Sequence, residues 1–213
     1  FAALAQDIPD FLPLKFMPTV PEKVALGRLL FYDPILSGNR NISCSSCHQQ
    51  RFGTSDAVSL SLGEGGIGLG PKRRGDPNNM PEQRIGRNAP SLFNLGAAQF
   101  ISLFDDGRVQ ADPSRPSGIR SPLEEAMVKG FDSVLAAQAM FPVLSQDEMA
   151  GHYSENDVSR AARLGFLAQK GGVWDIIAAR VEAIPQYRKM FDQTIGAKTP
   201  IKFTDIANMI AQF

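Results

Sequence analysis

Only two cysteines occur in this chain, and they fall three apart with a histidine directly after the second: Cys44-Ser45-Ser46-Cys47-His48. No other feature constrains the fold as strongly, because a group attached there must be enclosed by what surrounds it. Two thiols on one helical turn can add across the two vinyl groups of a single haem. The next residue then presents an imidazole nitrogen to the iron from the proximal side. Other uses of the cysteines fit less well. A redox dithiol needs a preceding strand and a lowered thiol pKa, and it gains nothing from the adjacent His48. A tetrahedral zinc site would find only His152 as a further soft ligand, one short of four. The run reads as a covalent haem c site, with Cys44 and Cys47 as anchors and His48 as proximal ligand.

At 213 residues and 43% apolar content the chain can build one large domain or two small ones. Lys+Arg and Asp+Glu balance at 22 each, which points away from nucleic acid and from a strongly charged partner. No apolar run reaches the length of a membrane span. Haem c is attached outside the cytoplasm in bacteria, so a periplasmic protein is expected, with any export signal removed or lying before Phe1. Both cysteines are consumed, so no disulfide is expected.

Residues 1–20, with Pro9, Pro13 and Pro18, read as an extended arm laid over the surface. Pro21 suits the first turn of a helix from Glu22 to Tyr32, with Val24, Leu26, Leu29 and Leu30 as its apolar residues, and Asp33-Pro34 stops it. From about residue 132 the pattern is again helical. Ser145 to Glu148 form a capping box, and Ser154 with Asp157 starts another helix whose narrow face is Val158, Ala161, Ala162 and Gly165. Trp174, Ile177, Ala178 and Val181 make a core stripe that Pro185 closes. Thr204 caps a last helix, 204–213, in which Ile206, Met209, Ile210 and Phe213 recur at helical spacing. That helix ends within its apolar stripe and is expected to lead to a second domain.

Between them, residues 52–122 carry eleven glycines and no helical period longer than a turn. So long a structureless stretch fits a compact domain only if loops pack on a cofactor. Gly63 to Gly70 has neither a preceding strand nor a Gly-Lys-Ser/Thr ending, so it reads as a flexible loop and not as a phosphate cradle. Lys72, Arg73 and Arg74 suit docking of a redox partner, neutralisation of haem propionates or a solvated basic turn. The expected fold is mainly α: a cytochrome c-like haem domain over 21–213, with long irregular loops around the haem.

Several spaced motifs, in order, resemble the bacterial di-haem cytochrome c peroxidases. They are Lys23 to Asp33, Leu36-Ser37, the Cys44 to His48 run, Arg87 to Asn94 (RNAPSLFN) and Phe104-Asp105-Asp106-Gly107-Arg108, the last standing for the family's Phe-Trp-Asp-Gly-Arg. Ala137-Gln138-Ala139, Glu148-Met149 and Trp174 to Pro185 extend the likeness. The methylamine-utilisation di-haem enzymes belong to the same wider family. The resemblance implies two mainly helical haem c domains, of which this chain carries the N-terminal, peroxidatic type.

It also implies a calcium ion with Asn88 as one ligand, and a distal acid–base glutamate just before the Gln-Ala pair. Ala137 holds that last position, next to Gln138, so a shifted register would make Glu124 or Glu125 the counterpart. A distal histidine of the family lies eight residues before the Asn of its N-A-P run; Met80 stands there, and His152 is the rival sixth ligand. Arg108 suits either a haem propionate or a structural pair with Asp105 or Asp106. The partners that go with this are a second haem c domain or subunit, a small redox-protein electron donor, hydrogen peroxide and a second copy in a homodimer. The other expectation is a six-coordinate electron-transfer module without peroxidase activity.

Overall fold

A computed structural model describes residues 13–213; the first twelve residues of the expected arm lie outside the described residues. The helices are α1 (Pro21–Tyr32), α2 (Cys44–Cys47), α3 (Val134–Gln138), α4 (Asp157–Arg163), α5 (Val173–Glu182), α6 (Pro185–Ile195) and α7 (Phe203–Gln212). Two small antiparallel sheets join them: β1 (Gly66–Ile67) with β2 (Arg74–Gly75), and β3 (Ser102–Leu103), β4 (Val109–Ala111) and β5 (Ile119–Arg120) in that order. The described residues are therefore helix-rich with few strands. Residues 13–20 have no helix; Lys15 exchanges hydrogen bonds with Ala98 and Gln99, and Phe16 forms a bridge to Ala97.

Helices α1 and α7 form the centre of the core. Pro21 sits at the start of α1, where its missing N–H leaves no helical bond unmade. Leu26, Leu30 and, from α7, Ile206 and Met209 are all fully buried. Each such side chain contributes about 1.5–3 kcal/mol on removal from water. Gly27 sets how close the two helices come: a Cβ there would lie 1.8 Å from the Met209 carbonyl oxygen. Asp33 ends α1 and accepts from the Ile35 N–H at 2.8 Å, opening a 3₁₀ turn over Pro34–Leu36. Trp174, Ile177, Ala178 and Val181 of α5 pack against this pair, with the Trp174 indole N–H donating to the Met140 carbonyl at 3.1 Å.

The structure alters four local readings. Pro185 opens a helix as well as closing one, since α6 begins on it and buries Tyr187 and Phe191. Asn156, not Ser154, caps α4, accepting from Ser159 N at 2.8 Å, and Gly165 ends that helix at φ +71. Thr204 lies inside α7; Lys202 holds the cap position, its N–H donating to Asp205 at 2.8 Å. Ser145 caps no regular helix but opens a single π-helical turn, Gln146–Ala150. Its carbonyls serve other segments, Asp147 O accepting from Glu64 N at 3.0 Å and Met149 O from Gly38 N at 2.7 Å, so no α-helical ladder forms.

Gly27→Ala forces α1 and α7 apart. Overpacking a well-filled core costs about 1–3 kcal/mol, and a backbone contact falls at the upper end. Urea titration of this variant should show a correspondingly lower midpoint with an unchanged slope; wild-type stability would refute the close approach.

Candidate haem centre

One turn of helix forms the attachment run. The Ser43 N–H donates to Ser46 Oγ at 3.1 Å at its start, and the His48 N–H donates to Cys44 O at 3.0 Å at its end. Residues three apart on such a turn share a face, which puts both sulfurs on one side. The chain then doubles back. A 3₁₀ turn over Gln50–Phe52, Gly53 at φ +65 and a bridge between Gln49 and Ser55 bring the Thr54 carbonyl 3.0 Å from His48 Nδ1. With Nδ1 donating there, Nε2 carries the lone pair, the arrangement in which histidines ligate metals. Thr54 is itself tied to the Ser91-Leu92 pair just after Pro90, its hydroxyl accepting from Leu92 N at 2.7 Å.

Burial dominates the electrostatics. It pushes the Cys44 thiol up to about 12 and the Cys47 thiol up to about 11, and it pulls the His48 imidazole below its usual value against the Thr54 and Pro90 carbonyls. Thiols this reluctant to ionise do not behave as a redox dithiol, which requires the opposite shift. An uncharged imidazole and two desolvated sulfurs suit a large apolar ring attached here. The residues fit a covalent haem c.

A third titratable group belongs to the site. Glu148, on the π turn, acts electrostatically on Cys47 and on Arg108. Desolvation of its carboxyl, reinforced by Asp147, pushes it up to about 7 against a Ser145 hydrogen bond and the Arg108 charge. Sequence patterning gives Glu148 only a capping role. The available signal is the Glu148-Met149 pair within the resemblance, but its burial depends on Gly63 and Glu64 packing against the turn from far along the chain.

The other expected site residues are scattered. Glu124 and Glu125 stand exposed on a 3₁₀ turn, Glu124–Ala126, whereas the carboxylates that act on Cys47 are Asp56 and Glu148 and the one that acts on His48 is Asp56. Ala137 is fully buried in the core and Gln138 is half-buried at the end of α3. Arg108 pairs with Asp106 at 2.9 Å and lies over the Phe104 ring, which is the structural pairing of its two expected roles. Met80 is 64% exposed, its sulfur against Gly75. His152 is buried, and neither ring nitrogen has a partner among the described residues. Asn88 is exposed and lines an open pocket of about 480 Å³ with Ala57, Val58 and Ser59. Of the basic run, Lys72 and Arg74 are exposed but Arg73 is buried. Gly63–Gly65 are buried as well, so the start of the glycine-rich segment is packed and not the flexible loop expected, while Gly68 and Leu69 are exposed.

Residues 21–213 match the sequence profile of the family described as di-haem cytochrome c peroxidase. The chain belongs to that family. It is 27% identical over 199 residues to the methylamine utilization protein MauG of Methylorubrum extorquens, covering 93% of this chain and 39% of that protein. Cytochrome c peroxidase Ccp of Escherichia coli is 33% identical over 129 residues, 60% of this chain and 24% of that one. The crystal structure of a MauG-like protein associated with microbial copper homeostasis superposes with a TM-score of 0.52 at 26% identity, covering 99% of this chain and 46% of that chain. The chain thus spans less than half the length of each of these relatives. Membership in the family implies covalently bound haem c, and the Cys44–His48 run has a geometry that fits it.

The Glu148 shift has a sign that stability measurements can read. Its folded value, about 7, lies above the ordinary 4.5, so the unfolded chain ionises first as pH rises. The fold therefore loses stability between those two values and the loss is constant above them. In denaturant titrations, Glu148→Gln should match wild type near the low end of this window and be more stable above its high end. An equal difference at both ends would contradict the desolvated carboxyl.

Proposed function

We propose that the chain is the peroxidatic-type haem domain of a di-haem enzyme that reduces hydrogen peroxide to water. The observation that carries this reading is Glu148, a desolvated carboxyl near neutrality whose charge reaches Cys47. When bound, the haem supplies the iron and the electron path for cleaving the oxygen–oxygen bond. The chain's own residues supply position and protons. Cys44 and Cys47 would hold the ring covalently, and the Thr54 carbonyl, by fixing His48 Nδ1, would leave Nε2 to ligate it. Glu148 accepts a proton from the first peroxide oxygen and returns it to the second, which leaves as water. A carboxyl near 7 can do both at neutral pH, because neither protonation state is rare. Two electrons and two further protons balance the reaction to two waters.

This reading takes the electrons from a small redox protein through a second haem c domain, and places the protein in the periplasm. No helix among the described residues is long and apolar enough to cross a membrane. The exposed Asn88 fits one ligand of a calcium ion whose other ligands lie elsewhere, and a homodimer remains the assembly proposed. The carrier reading has one observation in its favour. His152 holds a buried imidazole with two unpartnered nitrogens among the described residues, one of which would be satisfied by ligating the iron on the distal side, with Met80 the alternative.

The two readings divide on pH. If Glu148 is the acceptor, its ionised form is the active one, so kcat/KM for peroxide should rise through about pH 7 and level off above it. Glu148→Gln should remove that rise and lower turnover about 10²–10⁴-fold, the usual worth of a positioned acid–base group. Retained turnover with the same profile would sink the assignment.

A further inference from the structure

Leu62, Gly63 and Glu64 form a partition between the attachment run and the Glu148 turn. On one side, Cys47 Sγ lies 3.7 Å from the Leu62 carbonyl. On the other, the Glu64 N–H donates to Asp147 O at 3.0 Å. Gly63 is so close that a Cβ there would meet Asp147 O at 2.1 Å and Glu148 Cα at 2.7 Å.

Two buried charges hold this partition. The Arg73 guanidinium, 8% exposed as a residue, donates Nε to Leu62 O at 2.6 Å, Nη2 to Gly63 O at 2.8 Å and Nη1 to Gly68 O at 2.9 Å. Among the described residues it forms no ion pair, yet its charge reaches Cys47, Asp56 and Glu64. Glu64 is fully buried. Its Oε1 accepts side-chain amides from Asn39 at 2.9 Å, Asn41 at 2.7 Å and Asn79 at 2.9 Å, gathering the segment before Cys44 and the turn before Met80 to one point.

We propose that Arg73 is a positioning residue of the haem centre: it clamps the Leu62–Glu64 partition against both Cys47 and the Glu148 turn, and its fixed positive charge raises the potential of the haem attached beside it. Both parts follow from guanidinium chemistry. Three divergent N–H bonds to three carbonyls need a planar fork, which lysine lacks. Carbonyl partners satisfy those donors without neutralising the charge. A cation held in a poorly solvated site favours the iron state of lower positive charge, which is the reduced one. The proposal rests on the haem c reading of the Cys44–His48 run and not on peroxide turnover.

The test uses the haem-loaded chain with Arg73→Lys, Arg73→Gln and, as an exposed control, Lys72→Gln. Two quantities are read: the haem midpoint potential and amide hydrogen exchange over residues 62–66. Arg73→Gln should lower the potential and speed exchange by about tenfold or more, the mark of easier local opening. Arg73→Lys should keep the wild-type potential while exchanging as fast as Arg73→Gln. Lys72→Gln should change neither. Wild-type exchange in both Arg73 variants overturns the clamp, and a potential unmoved by Arg73→Gln overturns the charge effect. If Arg73→Gln fails to take up haem, Arg73→Lys decides alone: fast exchange at wild-type potential supports the proposal, and wild-type exchange overturns it. A wild-type chain without covalent haem defeats the underlying reading itself, which is a separate result from either failure.

Discussion

The haem side of this molecule depends on burying charge without pairing it. Its core on the other side is ordinary, a contiguous apolar cluster from α1, α3, α5, α6 and α7. Residues 44–92 offer few such side chains, and their short strands and turns cannot hold a backbone by hydrophobic burial alone. Arg73 and Glu64 do it instead. An isolated charge is costly inside a protein, and it is tolerated only where hydrogen bonds converge on it. The three carbonyls on Arg73 and the three amides on Glu64 are that convergence, and they fold loops distant in sequence onto one another.

Because the loops are fixed in this way, a one-turn helix suffices for the attachment run. Cys44 and Cys47 are set by α2, His48 by the returning Thr54 carbonyl, and the Glu148 turn by Gly63 and Glu64. The π turn has a functional logic too. A regular helix would engage the Asp147 and Met149 carbonyls within itself; here they hold the partition and the Gly38 turn, and Glu148 is left at the site. Arg180 provides a similar tie on the far side, donating to the Ser37 carbonyl at 2.9 Å and pairing with Asp157.

The sequence made the helices legible wherever their apolar spacing was long enough to repeat. Trp174, Ile177, Ala178 and Val181 are buried as their period requires, and α1 runs to Tyr32 as its opening and closing prolines imply. It concealed α6, because Pro185 reads equally well as an ending and as a first residue. The attachment run was legible because its chemistry is local: two thiols, one imidazole, one turn. Glu148 was not, because its shifted carboxyl comes from segments more than eighty residues away, Gly63 and Glu64 among them. The same holds for Arg73, which a basic run disguises as solvated surface. Charge patterns show sign and spacing but not which way a side chain turns.

The central claim is a haem c centre with a distal side open to peroxide and served by Glu148. The most direct measurement is the absorption and electron paramagnetic resonance spectrum of the ferric protein, recorded before and after hydrogen peroxide is added. The account predicts a high-spin ferric signal that peroxide changes within the mixing time. A low-spin spectrum indifferent to peroxide, in the resting and the reduced-then-reoxidised protein alike, would contradict it and leave an electron carrier with its sixth position filled.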